Sequence, residues 1–216
     1  MTTTQPAKST SKKTRKSKEA RVWQRMLSGR RLDLANPSPL DVEVEDIAHG
    51  LARVARWNGQ TTGPYAFSVA QHSVIVETLC GKLSPSFTPV QRLTALLHDA
   101  PEYVIGDMIS PFKALLGDSY RTIEDRLQEA IHIRYGLRPV TPQRLKTIIK
   151  KADLISAWFE ATQLAGFSDD EASRLFGRVP DGIKLKLKPQ SVEEAQAAFL
   201  ARFEKVLKMV EMDSKT

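Results

Sequence analysis

The sequence predicts an all-α fold, a single helical bundle, on three observations. Apolar residues recur at steps of three and four along several stretches of ten or more residues. Some of these stretches open on Ser or Thr followed three residues later by Glu or Gln, as in Thr88…Gln91, Ser168…Glu171 and Ser191…Glu194. That pattern is the capping box, which satisfies the free N–H groups of a first helical turn. Only one short segment, Arg31-Leu32-Asp33-Leu34, reads as extended.

Taken in order, folded sequence begins near Val22-Trp23, and the extended piece is stopped by Asn36-Pro37-Ser38-Pro39, which is turn chemistry. Glu45 to Trp57 reads as a helix with Ile47, Leu51, Val54 and Ala55 on one face, ended by Asn58-Gly59. Ser68 to Leu83 is a second helix. Its inward stripe is His72, Val76, Leu79 and Leu83, so a histidine shares the apolar face. Thr88 caps a third helix, Pro89 suits its first position, and the run through Leu93, Leu96 and Leu97 carries it to His98-Asp99. Pro101 has no N–H to donate, so the helix should end or kink there. Further helices are expected at about Ser119–Tyr135 and Pro142–Ala165, with a short one from Asp169. A last helix presents Phe199, Phe203, Val206 and Val210. Arg178 to Pro189 mixes Gly, Pro and Lys and reads as an irregular connector.

Length and composition limit the function classes. The chain of 216 residues, 41% apolar and 26% charged, suits one domain with a sizeable core. We divide it into a disordered basic tail, 1–20, and a folded domain, 21–216. A single cysteine, Cys80, excludes an intramolecular disulfide or a multi-cysteine zinc site. No apolar stretch is long enough to span a bilayer, and no hydrophobic signal segment opens the chain, so a cytoplasmic setting is expected. Of the net charge of +7, the first twenty residues hold +5, from Lys8, Lys12, Lys13, Arg15, Lys16 and Lys18 against Glu19. The basic excess belongs to the tail, which lacks apolar residues to order it. A merely solvated tail is the plainer reading, and nucleic-acid contact would come only through it.

The chemistry is concentrated in Leu96-Leu97-His98-Asp99-Ala100-Pro101-Glu102. A buried carboxylate needs a cation or a tight hydrogen-bond network. Upstream, Ser68-Val69-Ala70-Gln71-His72-Ser73 adds a histidine, and downstream Lys151-Ala152-Asp153-Leu154 adds a carboxylate in a similar apolar setting. Singly, each has a plainer reading: His72 as a hydrogen-bonded core histidine, Asp153 as a loop cap or an arginine partner. Jointly, His72, His98, Asp99 and Asp153 are a mixed nitrogen and oxygen set suited to one divalent metal, with Mn, Co, Fe, Zn and Mg all compatible. His49 and His132 couple to no site in the sequence.

These motifs carry a resemblance. The chain resembles the HD-domain phosphohydrolases, a helical superfamily, and within it bacterial 5′-deoxynucleotidases and related bacterial and phage HD hydrolases. The likeness runs from about Leu27 to Phe167. It rests on Asp46-Ile47-Ala48-His49, Arg56-Trp57, the Ser68–Ser73 segment, His98-Asp99-Ala100-Pro101-Glu102, Gly106-Asp107 with Pro111-Phe112-Lys113, Ile123-Glu124 and Ala152-Asp153. It implies that His72, His98, Asp99 and Asp153 hold the metal and that Glu102 is the catalytic carboxylate beside the attacking water. It also implies a second catalytic acid at Asp107, phosphate and sugar contacts from Arg56 and Trp57, and a basic substrate residue at Lys113. The plainer readings are a solvent-facing charge for Arg56 and core packing for Trp57. The implied activity is hydrolysis of 5′-deoxynucleoside monophosphates by a homo-oligomer. The alternatives are a deoxynucleoside triphosphate hydrolase and a non-catalytic, nucleic-acid-binding or regulatory HD protein.

Overall fold

A computed structural model describes residues 21–116 and 118–214, so the tail expected at 1–20 lies outside the described residues. Among those residues the architecture is all-α apart from one small hairpin. The extended piece is real: β2 (Arg31–Asp33) pairs antiparallel with β1 (Trp23–Arg25), Gln24 opposite Leu32, which turns the buried Leu32 side chain into the core. A single turn of 3-10 helix, Pro39–Asp41, follows.

Two helices start where periodicity and caps put them. α2 (Val69–Leu83) starts at Ser68, whose hydroxyl accepts from the Gln71 N–H. α3 (Pro89–Leu96) starts at Thr88 with both halves of the capping box formed. The expected helix over Glu45 to Trp57 needs correction. α1 (Val44–Leu51) stops early, because the Arg53 and Val54 N–H groups both close onto the Gly50 carbonyl. Val54 and Ala55 then run extended against Phe67 and Ser68. The Arg56 N–H donates to Phe67 O at 2.8 Å and the Val69 N–H to Val54 O at 3.0 Å. Val54 still packs on the core from this extended segment, so helical spacing and the actual path bury the same side chain.

The third helix also ends sooner than expected, at Leu96 rather than Asp99. Bonds three residues apart, Ala100 N–H to Leu97 O and Glu102 N–H to Asp99 O, form a tight turn through His98, Asp99 and Pro101. This turn leads into α4 (Glu102–Ile105) and then α5 (Ser110–Leu116), two short helices without a counterpart in the periodicity. α6 (Asp118–Arg134), α7 (Gln143–Gln163), α8 (Asp169–Phe176) and α9 (Val192–Asp213) follow, the last two opening on formed capping boxes. The segment between α8 and α9 is irregular, as its composition implied.

α2 is central, packed against α7, α3 and α9. On one side Leu93, Leu96, Ile131, Phe199 and Phe203 form the larger core; on the other, Val76, Leu79, Ile155 and Phe159 form a second. The buried Glu77 of α2 receives Arg92 of α3 and Arg202 of α9, clamping three helices by charge. No helix among the described residues is long and apolar enough to cross a membrane.

Candidate metal centre and active site

Three elements bring the predicted ligands together: α2 supplies His72, the α3–α4 turn supplies His98 and Asp99, and α7 supplies Asp153. Donor atoms of His72, His98 and Asp153 all lie within 4.8 Å of one another. Asp99 stands beside this trio, its Oδ2 3.2 Å from His98 Nε2 and 3.5 Å from His72 Nε2. Asp153 Oδ1 is 3.3 Å from His72 Nε2.

The protonation of the two imidazoles follows from their other nitrogens. His98 Nδ1 lies 2.9 Å from the Ala95 carbonyl, which can only accept, so Nδ1 carries the hydrogen. His72 Nδ1 lies 2.7 Å from the Glu160 carboxylate and donates to it. In a neutral ring each Nε2 is then a bare lone pair. Both Nε2 atoms are buried without a hydrogen-bond partner, and both face carboxylate oxygens. Lone pairs and negative oxygens converging in a buried place repel one another unless a positive charge sits among them. A divalent cation fits this donor set. Without one, the strain falls on protons: burial and Arg56 oppose charge on His72, but Glu160, Asp153 and Asp99 outweigh them and raise its pKa well above the usual value. Against the opposing effect of burial, His98 and His72 hold Asp99 well below the usual carboxylate range, and His72 does the same for Asp153.

Glu102 opens α4 with its side chain 3% exposed, and its Oε2 has no partner. Burial, then the negative charges of Asp99 and Asp107, pushes its carboxyl up to about 9, against Lys113 and Arg56. A buried acid with an unspent oxygen beside a ligand cluster is what a proton-transfer site requires. Lys113 reaches both Glu102, at 3.6 Å, and Glu124, at 3.1 Å, so its charge is engaged by carboxylates. A cavity of about 360 Å³ opens over His98, Asp99, Glu102 and Asp153 and extends to His132, Lys146 and Lys150. His132, unassigned in the sequence, lines it; its Nδ1 donates to the Arg138 and Pro139 carbonyls.

Arg56 is not a solvent-facing charge. Its side chain is 13% exposed and ion-paired with Glu160 at 3.1 Å and Asp107 at 3.4 Å. Desolvation is outweighed by these carboxylates, so its pKa stays above the ordinary value. Asp107 is raised by burial, with Arg56 opposing. Trp57 packs its ring against Phe167 and Phe176, and its Nε1 donates to Glu160 at 2.9 Å. Its backbone is left-handed, φ 58° and ψ 27°, and so is that of Asn58. A non-glycine residue there costs on the order of 1–3 kcal/mol, which the indole contacts must offset.

Sequence reasoning missed Glu160. It is fully buried and accepts from His72, Arg56, Trp57 and Ser156. The available signal was its place in α7: Asp153, Ser156 and Glu160 at steps of three and four share one helical face. A charged residue between Phe159 and Ala161 on that face marks a paired carboxylate.

No model of a known protein family matches the chain. It is 56% identical over 193 residues to an uncharacterized protein of Rhodobacter capsulatus, covering 87% of this chain and 97% of that protein. It is 32% identical over 163 residues to the uncharacterized protein YfdR of Escherichia coli, covering 76% of this chain and 83% of YfdR. The chain belongs to the YfdR family. For this member of the YfdR family, the site geometry is the guide to chemistry.

Proposed function

We propose that the chain is a metal-dependent phosphohydrolase of the HD type, acting on nucleotides and first on 5′-deoxynucleoside monophosphates. The observation that carries this reading is the pair of bare imidazole nitrogens facing carboxylates, His98 in the wall of the cavity and His72 buried behind it. His72, His98, Asp99 and Asp153 would hold one divalent cation, leaving its identity among Mn, Co, Fe, Zn and Mg open. When bound, that ion lowers the pKa of water, shields phosphoryl charge and draws the Glu102 carboxyl down from its raised value.

The chain's own residues do the rest. Glu102 takes a proton from the attacking water, whose oxygen forms the new bond to phosphorus while the bond from phosphorus to the sugar 5′-oxygen breaks. Asp107, with its carboxyl shifted upward by burial, returns a proton to the leaving sugar oxygen. Arg56 offers its guanidinium to the phosphate. Trp57 walls the sugar, so that a 2′-hydroxyl would lose water without gaining a partner. An unsatisfied buried hydroxyl costs on the order of 1–3 kcal/mol, so deoxynucleotides are favoured over ribonucleotides by roughly ten- to a hundredfold. Lys113 steadies Glu102 and Glu124 at the cavity edge. Lys146 in the cavity supports a second reading, deoxynucleoside triphosphate hydrolysis, because its ammonium would meet further phosphates, whereas Lys150 is ion-paired with Asp153 at 2.8 Å. A homo-oligomer in the cytoplasm completes the proposal.

The test is a hydrolysis screen of deoxy- and ribonucleoside mono- and triphosphates with each of the five metals. Release of phosphate from deoxymonophosphates supports the leading reading. Release of pyrophosphate or triphosphate from the triphosphates moves the substrate to the second. Absence of turnover in metal-loaded protein removes the enzymatic reading and leaves a binding or regulatory role.

A further inference from the structure

Glu160 touches both halves of the candidate site. Its Oε1 accepts from His72 Nδ1 at 2.7 Å and from Ser156 Oγ at 2.8 Å. Its Oε2 accepts from Arg56 Nε at 3.1 Å and from Trp57 Nε1 at 2.9 Å. The side chain is wholly buried. Four donors on two oxygens need a carboxylate: an amide has one acceptor oxygen and would turn an N–H₂ toward the other pair of donors.

We infer that Glu160 is a positioning residue that holds the His72 tautomer and the Arg56–Trp57 turn with one carboxylate, tying cation binding to the substrate side. The inference rests on the metal-centre reading proposed above. On the cation side, the Nδ1–H bond to Glu160 leaves His72 Nε2 bare and fixes the ring plane toward Asp99 and Asp153. A carboxylate behind a ligating imidazole also raises its basicity. On the substrate side, Trp57 and Asn58 both have left-handed backbones, a conformation that needs outside support in residues other than glycine. The Trp57 Nε1 bond to Glu160 supplies support from α7, and the Arg56 Nε bond orients the guanidinium beside it. Glu160 touches no reacting atom in this account and acts through its neighbours.

The experiment uses the full chain and three measurements. Binding of Zn²⁺ or Co²⁺ is titrated against a chromogenic chelator in wild type, Glu160→Gln and Ser156→Ala. In Glu160→Gln the affinity should fall about 10–100-fold, with a smaller loss in Ser156→Ala, which keeps the carboxylate. In metal-free wild type, at a pH where the ring is neutral, nitrogen-15 spectra should show His72 protonated at Nδ1 and not at Nε2, a tautomer that a glutamate acting only by packing would not set. Turnover of a deoxynucleoside monophosphate should show a raised KM in Glu160→Gln even at saturating metal, because the Arg56–Trp57 turn loosens. Wild-type affinity and wild-type KM in a folded Glu160→Gln protein would overturn the inference. So would a neutral His72 carrying its proton at Nε2 in metal-free wild type, a result that holds even where the variant does not fold. Failure of wild type to bind either metal would instead remove the metal-centre reading, which separates the two outcomes.

Discussion

Asp153 and Glu102 differ in what their charge does, and single substitutions separate them. Asp153 faces a bare imidazole nitrogen through Oδ1 and pairs with Lys150 through Oδ2, so in the proposed reading its Oδ1 charge would hold the cation. Asp153→Asn, which keeps the shape and removes the charge, should lose bound metal and turnover together; full metal occupancy by elemental analysis would take Asp153 off the ligand list. Glu102 faces the cavity with an unpartnered oxygen. Glu102→Gln should keep its metal and lose about 10²–10⁴ in kcat, since an amide cannot take a proton from water. Near-native kcat in the metal-loaded variant would move the proton-transfer role to Asp107. Four ligand candidates were legible in the sequence because the doublet and its two partners stand in apolar stretches. Glu160 was legible at most as a paired carboxylate on the Asp153–Ser156 face of α7; its role was not, because three of its donors, His72, Arg56 and Trp57, come from other elements.

At the level of elements, the site depends on how closely α1 approaches α4. Gly50 of α1 lies against Tyr103, where a Cβ would come within 2.7 Å of the Tyr103 Cβ and carbonyl oxygen. Since backbone cannot yield as a flexible side chain does, Gly50→Ala should destabilise by about 1–3 kcal/mol. It should also lower turnover by displacing α4, whose first residue is Glu102. An unchanged melting temperature would show that the two helices can part without cost. A second inter-element tie is Glu43, which pairs with Arg30 after β1 and Arg134 of α6. The Arg30 hydrogen bond, with Arg134 adding to it, lowers the Glu43 pKa below its ordinary value. A depressed carboxyl contributes stability above its unfolded pKa near 4.5 and loses it as pH falls through the folded value. Partial exposure keeps the contribution below about 1 kcal/mol. The gap in melting temperature between wild type and Glu43→Gln should therefore be present at pH 7 and close by pH 3; a gap independent of pH would mean that charge plays no part.

For the molecule as a whole, the ligands come from α2, the α3–α4 turn and α7, so a bound ion would cross-link the bundle at its centre. Anything that binds the folded chain and not the unfolded one stabilises it by mass action, about 2.7 kcal/mol at a hundredfold excess over Kd. Chelation should lower the melting temperature of wild type and re-addition of metal should restore it. Asp153→Asn should respond to neither. Equal melting temperatures for metal-loaded and chelated wild type would argue against a cation bridging these elements.

Helix identity, the capping boxes at Thr88, Ser168 and Ser191, and the grouping of His72 with Val76 and Leu79 were decided by the sequence alone, because they depend on contacts within a few residues. What the tertiary structure decided lies where distant segments compete with local preference. α1 yields at Leu51 because Val54 and Arg56 find bonding partners at Val69 and Phe67. α3 yields at Leu96 because a tight turn swings His98 and Asp99 toward α2 and α7. Glu160 meets His72, Arg56 and Trp57 only because α7 packs on α2 beside the Arg56–Trp57 turn, while Ser156 is a local donor one turn earlier on α7. Local periodicity records which side chains are buried; only the folded chain settles which buried polar groups meet.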